Sequence, residues 1–392
     1  MGIPRLRAYA GPPLLSYGFR PFFLFGALYA ALAILVWLPA FEGEITLDTA
    51  FAPRDWHIHE MMFGYVPAVI AGFLLTAIPN WTGRLPLQGN PLLVLVLTWI
   101  AGRIAVTFSA TIGWLPAAVI DAAFLALLAA AAAREIIAGR NWRNLKVLMP
   151  VTLLLVANVA FHVEAAAYGQ ADVSPRLGLG AILLLIMVIG GRIIPSFTRN
   201  WLVRENPGRL PVPFGRLDAI AIGLSAAALL VWIIMPQGAL TAAVLFAASA
   251  LQAMRLARWA GDRTARDRLV LVLHFAYAFV PVGFVLAGLA ALGLVPESAG
   301  VHAWTVGAIG TMTLAVMTRA SLGHTGGALA ASPATQLIYG MVILAAGFRV
   351  AAALLPQYAM PLLHLASFGW IIAFGAFAVT YGPRLFGPRT AE

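Results

Sequence analysis

Seven histidines carry most of the chemistry that this sequence can offer: His57, His59, His162, His274, His302, His324 and His364. Imidazole is a ligand for copper, iron and zinc and a proton carrier near neutral pH. His57 and His59 form an H-x-H with Glu60 directly after it, and His162 has Glu164 two residues on. Carboxylates beside histidines can carry protons, which makes Glu60 and Glu164 candidate proton carriers. In a helix, positions two apart lie about 200° apart, so His57 and His59 would face opposite ways and serve two centres. In an extended segment they would point to one side and chelate one ion. His57 and Glu60, three apart, share a helix face.

The chain has no cysteine. That excludes disulfides, thiolate-held iron–sulfur clusters, Cys-rich zinc sites and covalent c-type haem. Any haem here would be of b type, held without covalent bonds, with histidine as the usual axial ligand.

The elements that must position these side chains follow from composition. Of 392 residues, 61% are hydrophobic and 10% charged, and the mean hydropathy is +0.90. A soluble domain averages roughly 45–50% apolar and 25% charged. At ~20 residues per membrane span, the apolar content suffices for about twelve. The apolar stretches run over 21–40, 60–79, 91–110, 115–133, 147–166, 177–198, 217–235, 239–257, 269–294, 302–319, 335–355 and 361–382. Connections are short, so the expectation is one integral membrane domain over residues 1–392, all-α, with about 12 transmembrane helices. The first apolar run lacks an A-x-A type cleavage site and is expected to stay as an anchor.

The net charge of +10 would suit a nucleic-acid binder, but the basic residues alternate with the spans. Arg5, Arg7 and Arg20 precede the first span, and Arg84 follows the second. Arg134, Arg140, Arg143 and Lys146 follow the fourth, and Arg199, Arg204, Arg209 and Arg216 the sixth. Arg255, Arg258, Arg263, Arg266 and Arg268 follow the eighth, Arg319 ends the tenth, and Arg384 and Arg389 follow the twelfth. The other loops carry Glu42, Glu44, Asp48, Asp55, Asp172 and Glu297 with only Arg54 and Arg176. This is the positive-inside pattern, with both termini cytoplasmic. No nucleic acid is expected as a partner; the bilayer is.

Depth then sorts the histidines. His57, His59, His162, His302 and His364 fall at the outer ends of four helices, level with Glu60 and Glu164. Ligands must converge from facing helices, so these five are the candidate metal set. A single outer histidine would be an interfacial residue wetted by headgroups. His274 and His324 lie toward the cytoplasm. They would be a bis-histidine haem pair, or unrelated: one a core histidine beside Tyr277, the other a polar residue ending a helix. Arg103, Arg192 and Arg349 lie inside apolar spans. Arg192 follows Gly190 and Gly191, where missing side chains would admit a bulky cofactor, and Arg192 and Arg349 would bind haem propionates bidentately. Otherwise these arginines would pair with Asp121 or Asp218, Arg349 with Asp121 in particular.

The second, sixth and tenth spans end alike: A-I-P-N-W-T-G-R (77–84), I-I-P-S-F-T-R-N (193–200) and A-V-M-T-R (315–319). Aligning Thr82, Thr198 and Thr318 gives a period of four helices, which predicts three four-helix units. That arrangement resembles the catalytic subunit of haem–copper oxidases.

Longer motifs carry a resemblance across essentially the whole chain. W-H-I-H-E-M-M-F-G (56–64), G-G-R-I-I-P-S-F-T-R-N-W-L (190–202), V-M-T-R-A-S-L-G-H-T-G (316–326), S-Y-G-F-R-P-F-F (16–23) and F-H-V-E (161–164) are similar to the NnrS family. A basic residue is expected after G-H-T-G, where this chain has Gly327-Ala328. The resemblance implies a bacterial inner-membrane protein containing haem and copper, linked to nitric oxide metabolism, denitrification and nitrosative stress. It makes His57, His59, His162, His274, His302 and His324 the metal or haem candidates, with His364 outside a matching motif.

Three functions follow as expectations. One is an oxidoreductase that reduces nitric oxide to nitrous oxide, drawing electrons from quinol or a redox protein. Another is a protein that binds nitric oxide with the same metals and does not turn over. The last is a twelve-helix transporter in which Arg192 and Arg349 bind a small anion.

Overall fold

The computed structural model describes residues 9–389, so Arg5 and Arg7 of the charge pattern lie outside it. The described residues form helices joined by short connections, with no strand among them. Twelve helices are long and apolar enough to cross a membrane: α1 Phe19–Glu42, α2 Pro53–Thr82, α3 Asn90–Thr107, α4 Trp114–Ala138, α5 Trp142–Tyr168, α6 Val173–Glu205, α7 Arg216–Ile234, α8 Ala239–Arg263, α9 Arg268–Ala291, α10 Glu297–Thr325, α11 Pro333–Leu354 and α12 Pro356–Phe386. Eight of them contain one of the apolar stretches whole, and the stretches 91–110, 217–235, 269–294 and 335–355 run one to three residues past the ends of α3, α7, α9 and α11. Most extend beyond them, because hydropathy marks only the apolar middle while backbone hydrogen bonding continues through polar ends. His57 and His59 therefore sit inside α2, and Arg199 and Arg204 inside α6.

Helix boundaries follow local chemistry. Prolines open α2 at Pro53 and α11 at Pro333, where a missing N–H costs nothing. Ser332 caps α11 by accepting from Thr335 N–H. Gly43 and Gly83, both left-handed, end α1 and α2.

The chain divides into two compact units. The first holds residues up to 181, 320–328 and from 374 onward; the second holds 182–319 and 329–373. Within the first, α1 packs on α2, α3 on α4 and α4 on α5. Within the second, α7 packs on α8, α8 on α9, and α9 and α11 on the first part of α10.

In the first unit, Arg20 reaches from α1 to the end of α12. Its Nη1 donates to the carbonyls of Leu385 at 3.0 Å and Gly387 at 2.6 Å. The last carbonyls of a helix have no partner within it, and a cation there also suits the helix dipole. Arg20→Met is expected to cost about 1–3 kcal/mol, the range for a charge-assisted bond to buried acceptors. Thermal unfolding in detergent, with faster amide exchange confined to the end of α12, checks this.

Three stretches are wound as π-helix: Glu60–Tyr65 in α2, Ile186–Gly190 in α6 and Ala303–Gly310 in α10. These are the three helices that the threonine alignment singles out. Each aligned threonine also donates to the carbonyl four residues back, Thr82 to Ile78, Thr198 to Ile194 and Thr318 to Leu314, all at 2.8 Å. The repeated ending thus has a repeated backbone feature behind it. π-Turns concentrate at functional sites.

Candidate metal centre

The π-stretch of α2 opens on Glu60, and the residue before it is His59. Both are wholly buried. Around them in the first unit stand Tyr29 of α1, Arg103 of α3, Asp121 of α4, and Asn158 and His162 of α5. Asn158 and His162, four apart, present one helix face. Buried ionic groups in apolar helices persist only when paired and hydrogen-bonded, and here every one is.

His59 Nδ1 meets Glu60 Oε1 at 2.9 Å, and its Nε2 meets Asn158 Oδ1 at 3.0 Å and Asp121 Oδ2 at 3.2 Å. His162 Nε2 meets the same Asp121 oxygen at 3.1 Å, and Asn158 Nδ2 donates to it at 2.9 Å. Arg103 donates to Glu60 Oε1 at 2.6 Å and to Asp121 Oδ1, so one guanidinium clamps both carboxylates. Tyr29 donates its hydroxyl to the other oxygen of Glu60. Two carboxylates against one guanidinium leave one negative charge. Both nitrogens of His59 face acceptor oxygens. One further positive charge at that place balances the cluster, either a proton on His59 or a metal cation.

A metal fits the donor set. His59, Asp121 and His162 each offer an atom within 4.8 Å of the others, all three residues being buried. Two imidazoles and a carboxylate suit copper or zinc. The walls are apolar: the rings of Phe51, Phe161 and Phe63 stand 5.1, 5.2 and 5.4 Å from that of His59. Gly64 admits the clamp, since a Cβ there would lie 2.6 Å from Arg103 Nη1. Trp99 Nε1 fixes the same turn by donating to the Gly64 carbonyl at 2.9 Å.

The remaining predicted residues are placed as follows. His57 is helical, and its ring stacks on Trp37 at 4.1 Å, so it and His59 face different neighbours, as a helix requires. Glu164 accepts from the backbone N–H groups of Asp172, Val173 and Ser174 and from the Ser174 hydroxyl, which caps the start of α6. Removing that cap by Glu164→Ala is expected to cost about 1–2 kcal/mol in thermal unfolding, with metal content unchanged. In the second unit, His302 Nδ1 donates to the Ser298 carbonyl at 2.6 Å and His364 Nδ1 to the Met360 carbonyl at 2.9 Å. His274 Nε2 meets Thr198 Oγ1 at 2.9 Å. Its Nδ1 is buried without a hydrogen-bond partner among the described residues and faces Gly261, where a Cβ would lie 2.5 Å away. His324 belongs to the first unit and His274 to the second. His324 stands beside Tyr17 and Phe19, at 5.8 and 5.4 Å between ring centroids.

Two expectations are corrected. The space beside Gly191 does not admit a cofactor, because the guanidinium of Arg255 fills it; Arg192 itself is exposed. Asp121 pairs with Arg103 rather than Arg349, and Asp218 with Arg255 at 3.0 Å. Sequence reasoning treated Asp121 only as a counter-ion and passed over Tyr29 and Asn158 altogether. The available signal was the one applied to the histidines: an ionisable group inside an apolar span marks a site.

A model of the family described as NnrS protein matches residues 13–389. No curated protein matches the chain.

Proposed function

The chain belongs to the NnrS family, and from that membership we propose a membrane metalloprotein of nitric oxide metabolism that binds copper at His59, Asp121 and His162. The observation that carries this reading is the buried two-imidazole, one-carboxylate set, with donor atoms within 4.8 Å of one another. Bound copper supplies a site for nitric oxide and one-electron chemistry. The chain's own residues do the rest. Phe51, Phe63 and Phe161 exclude water and suit a small, weakly polar gas. Arg103 holds Glu60 and Asp121 in place. Glu60 accepts from Arg103 and Tyr29 and lies next to His59, where its negative charge favours a cation on the imidazole. Turnover would join two NO with two electrons and two protons into N2O and H2O. The charge pattern supports both termini in the cytoplasm, and membership of the family supports a bacterial inner membrane.

The test is metal analysis and copper electron paramagnetic resonance on detergent-purified protein, before and after nitric oxide, with N2O measured under a chemical reductant. About one copper per chain, nitrogen hyperfine coupling, and loss of both in His162→Ala are expected. A protein that retains no copper after reconstitution, or keeps it in His162→Ala, overturns the assignment. Copper with a nitric oxide response and no N2O selects the binding protein that does not turn over. A metal-free protein gives the anion transporter first place.

A further inference from the structure

His59 is fully buried and His162 is 2% exposed. A buried ion needs an entry path, and a charged one does not take it through lipid. Two connections of the first unit meet the start of α2, at the end that the arginine pattern assigns to the outside. They are residues 43–52, between α1 and α2, and 169–172, between α5 and α6. The second is anchored at its centre. Ala171 is wholly buried, and its N–H donates at 3.0 Å to Asp55, itself 1% exposed. Arg54 joins Asp55 at 3.2 Å to Asp172 at 3.0 Å.

The first connection is held differently. Of residues 43–52, Phe51 alone is buried. Its ring lies 5.1 Å from that of His59, 5.3 Å from that of His162 and 5.3 Å from that of Phe161. One aromatic side chain, carried on an exposed non-helical segment, thus stands against both imidazoles of the metal set. The segment's other ties are polar and run to the α3–α4 connection. Ala50 N–H donates to Ser109 Oγ at 2.8 Å, and Thr49 Oγ1 lies 3.2 Å from the same oxygen. The Asp48 carbonyl accepts from Ala110 N–H at 3.2 Å, and its carboxylate from the Thr111 hydroxyl at 2.6 Å. Such bonds contribute little net stability where water can replace them, and segments with few buried apolar contacts open first. The segment begins at Gly43, which is left-handed and has no atom within 4 Å of where a Cβ would lie. That is a place where the chain can hinge.

We propose that residues 43–52 are a hinged cover over the metal centre with Phe51 as its stopper, and that a metal cation reaches His59 and His162 from the outer aqueous phase by displacing it. The charges at this end suit a cation. Asp55 is within electrostatic reach of Asp172 and Glu164 as well as Arg54. The cover adds Glu44 and Asp48, and Arg176 is the other basic residue. Carboxylates therefore outnumber guanidinium groups, a balance that concentrates cations. Asp55 lies one helical turn before His59, on the same face of α2, so a cation passing it is led to the imidazole. The inference rests on the proposed copper site for its purpose.

The test compares two rates on the full chain in detergent. One is copper uptake by metal-free protein. The other is carbethoxylation of His162 by diethyl pyrocarbonate in the absence of metal, read by peptide mass spectrometry. Phe51→Ala is expected to raise both by about tenfold, since the buried ring is what keeps the cover down. The double variant Thr49→Cys, Ser109→Cys places two thiols where hydroxyl oxygens lie 3.2 Å apart, in a chain with no other cysteine. Its disulfide pins the cover, and both rates are expected to fall by about tenfold or more. The same variant, reduced and capped by alkylation, is expected to be no slower than the parent. This pair decides the matter if Phe51→Ala does not fold. Parent rates in the cross-linked form overturn the proposal. Copper taken up at one rate by every form fails this inference and leaves the metal site standing. Labelling of His162 that follows the cover in protein that never holds copper fails the functional reading and leaves the cover standing.

Discussion

Asp121→Ala is expected to destabilise the protein by about 3–5 kcal/mol, the cost of leaving a buried charge without its partner. Asp121 is 1% exposed and takes bonds from Arg103, Asn158, His59 and His162. Without it, the Arg103 guanidinium would have Glu60 alone, and both imidazoles would lose their shared acceptor. The metal set would also lose its only carboxylate. The checks are thermal unfolding in detergent and copper content, both of which should fall. The triple variant Glu60→Gln, Arg103→Met, Asp121→Leu separates charge from shape: replacing every member of a buried ionic group by neutral residues is far milder than removing one. It should recover much of the stability and none of the copper. Equal destabilisation in single and triple variants would refute the clamp.

The second large effect is expected at Gly191. The Arg255 guanidinium rests on this residue while its Nε donates to Asp218 at 3.0 Å and its Nη1 to the Met187 carbonyl and the Tyr277 hydroxyl, both at 2.8 Å. Arg255 is fully buried. A methyl group at position 191 would occupy the guanidinium's own place. Gly191→Ala should therefore break the Arg255–Asp218 pair, at about 3–5 kcal/mol. The readout is thermal unfolding; Gly191→Ala combined with Arg255→Met should be less damaging than Gly191→Ala alone. If Gly191→Ala unfolds like the parent, the arginine is not seated as described.

Much of this organisation was legible in the sequence, and the illegible part has a single physical origin. Depth along a helix can be counted, because each residue advances about 1.5 Å. The twelve spans follow from such counting, as does the shared level of His59, Glu60 and His162. Which helices are neighbours, and which faces they turn to one another, is not encoded by depth. His57 and His162 share a level, yet His57 stacks on Trp37 while His162 meets Asp121. Charge alone matches Arg349 to Asp121, but Arg103 is the arginine packed beside it. Gly191 was read as open room for the same reason. A missing side chain shows in the sequence, but the side chain that fills the gap comes from α8, over sixty residues later.

The π-stretch at Glu60–Tyr65 has a further consequence for how the first unit tolerates change in length. A π-turn holds one residue more than the α-turn it replaces. Deleting a single residue there, such as Met61, would let α2 run through this stretch as α-helix. The segment carrying His59 would then swing by about 100° about the helix axis relative to Val66–Thr82. His59 would leave Asp121 and His162 while the helix itself stayed intact. Such a deletion is a mutation of aim, one that separates possession of these residues from their convergence.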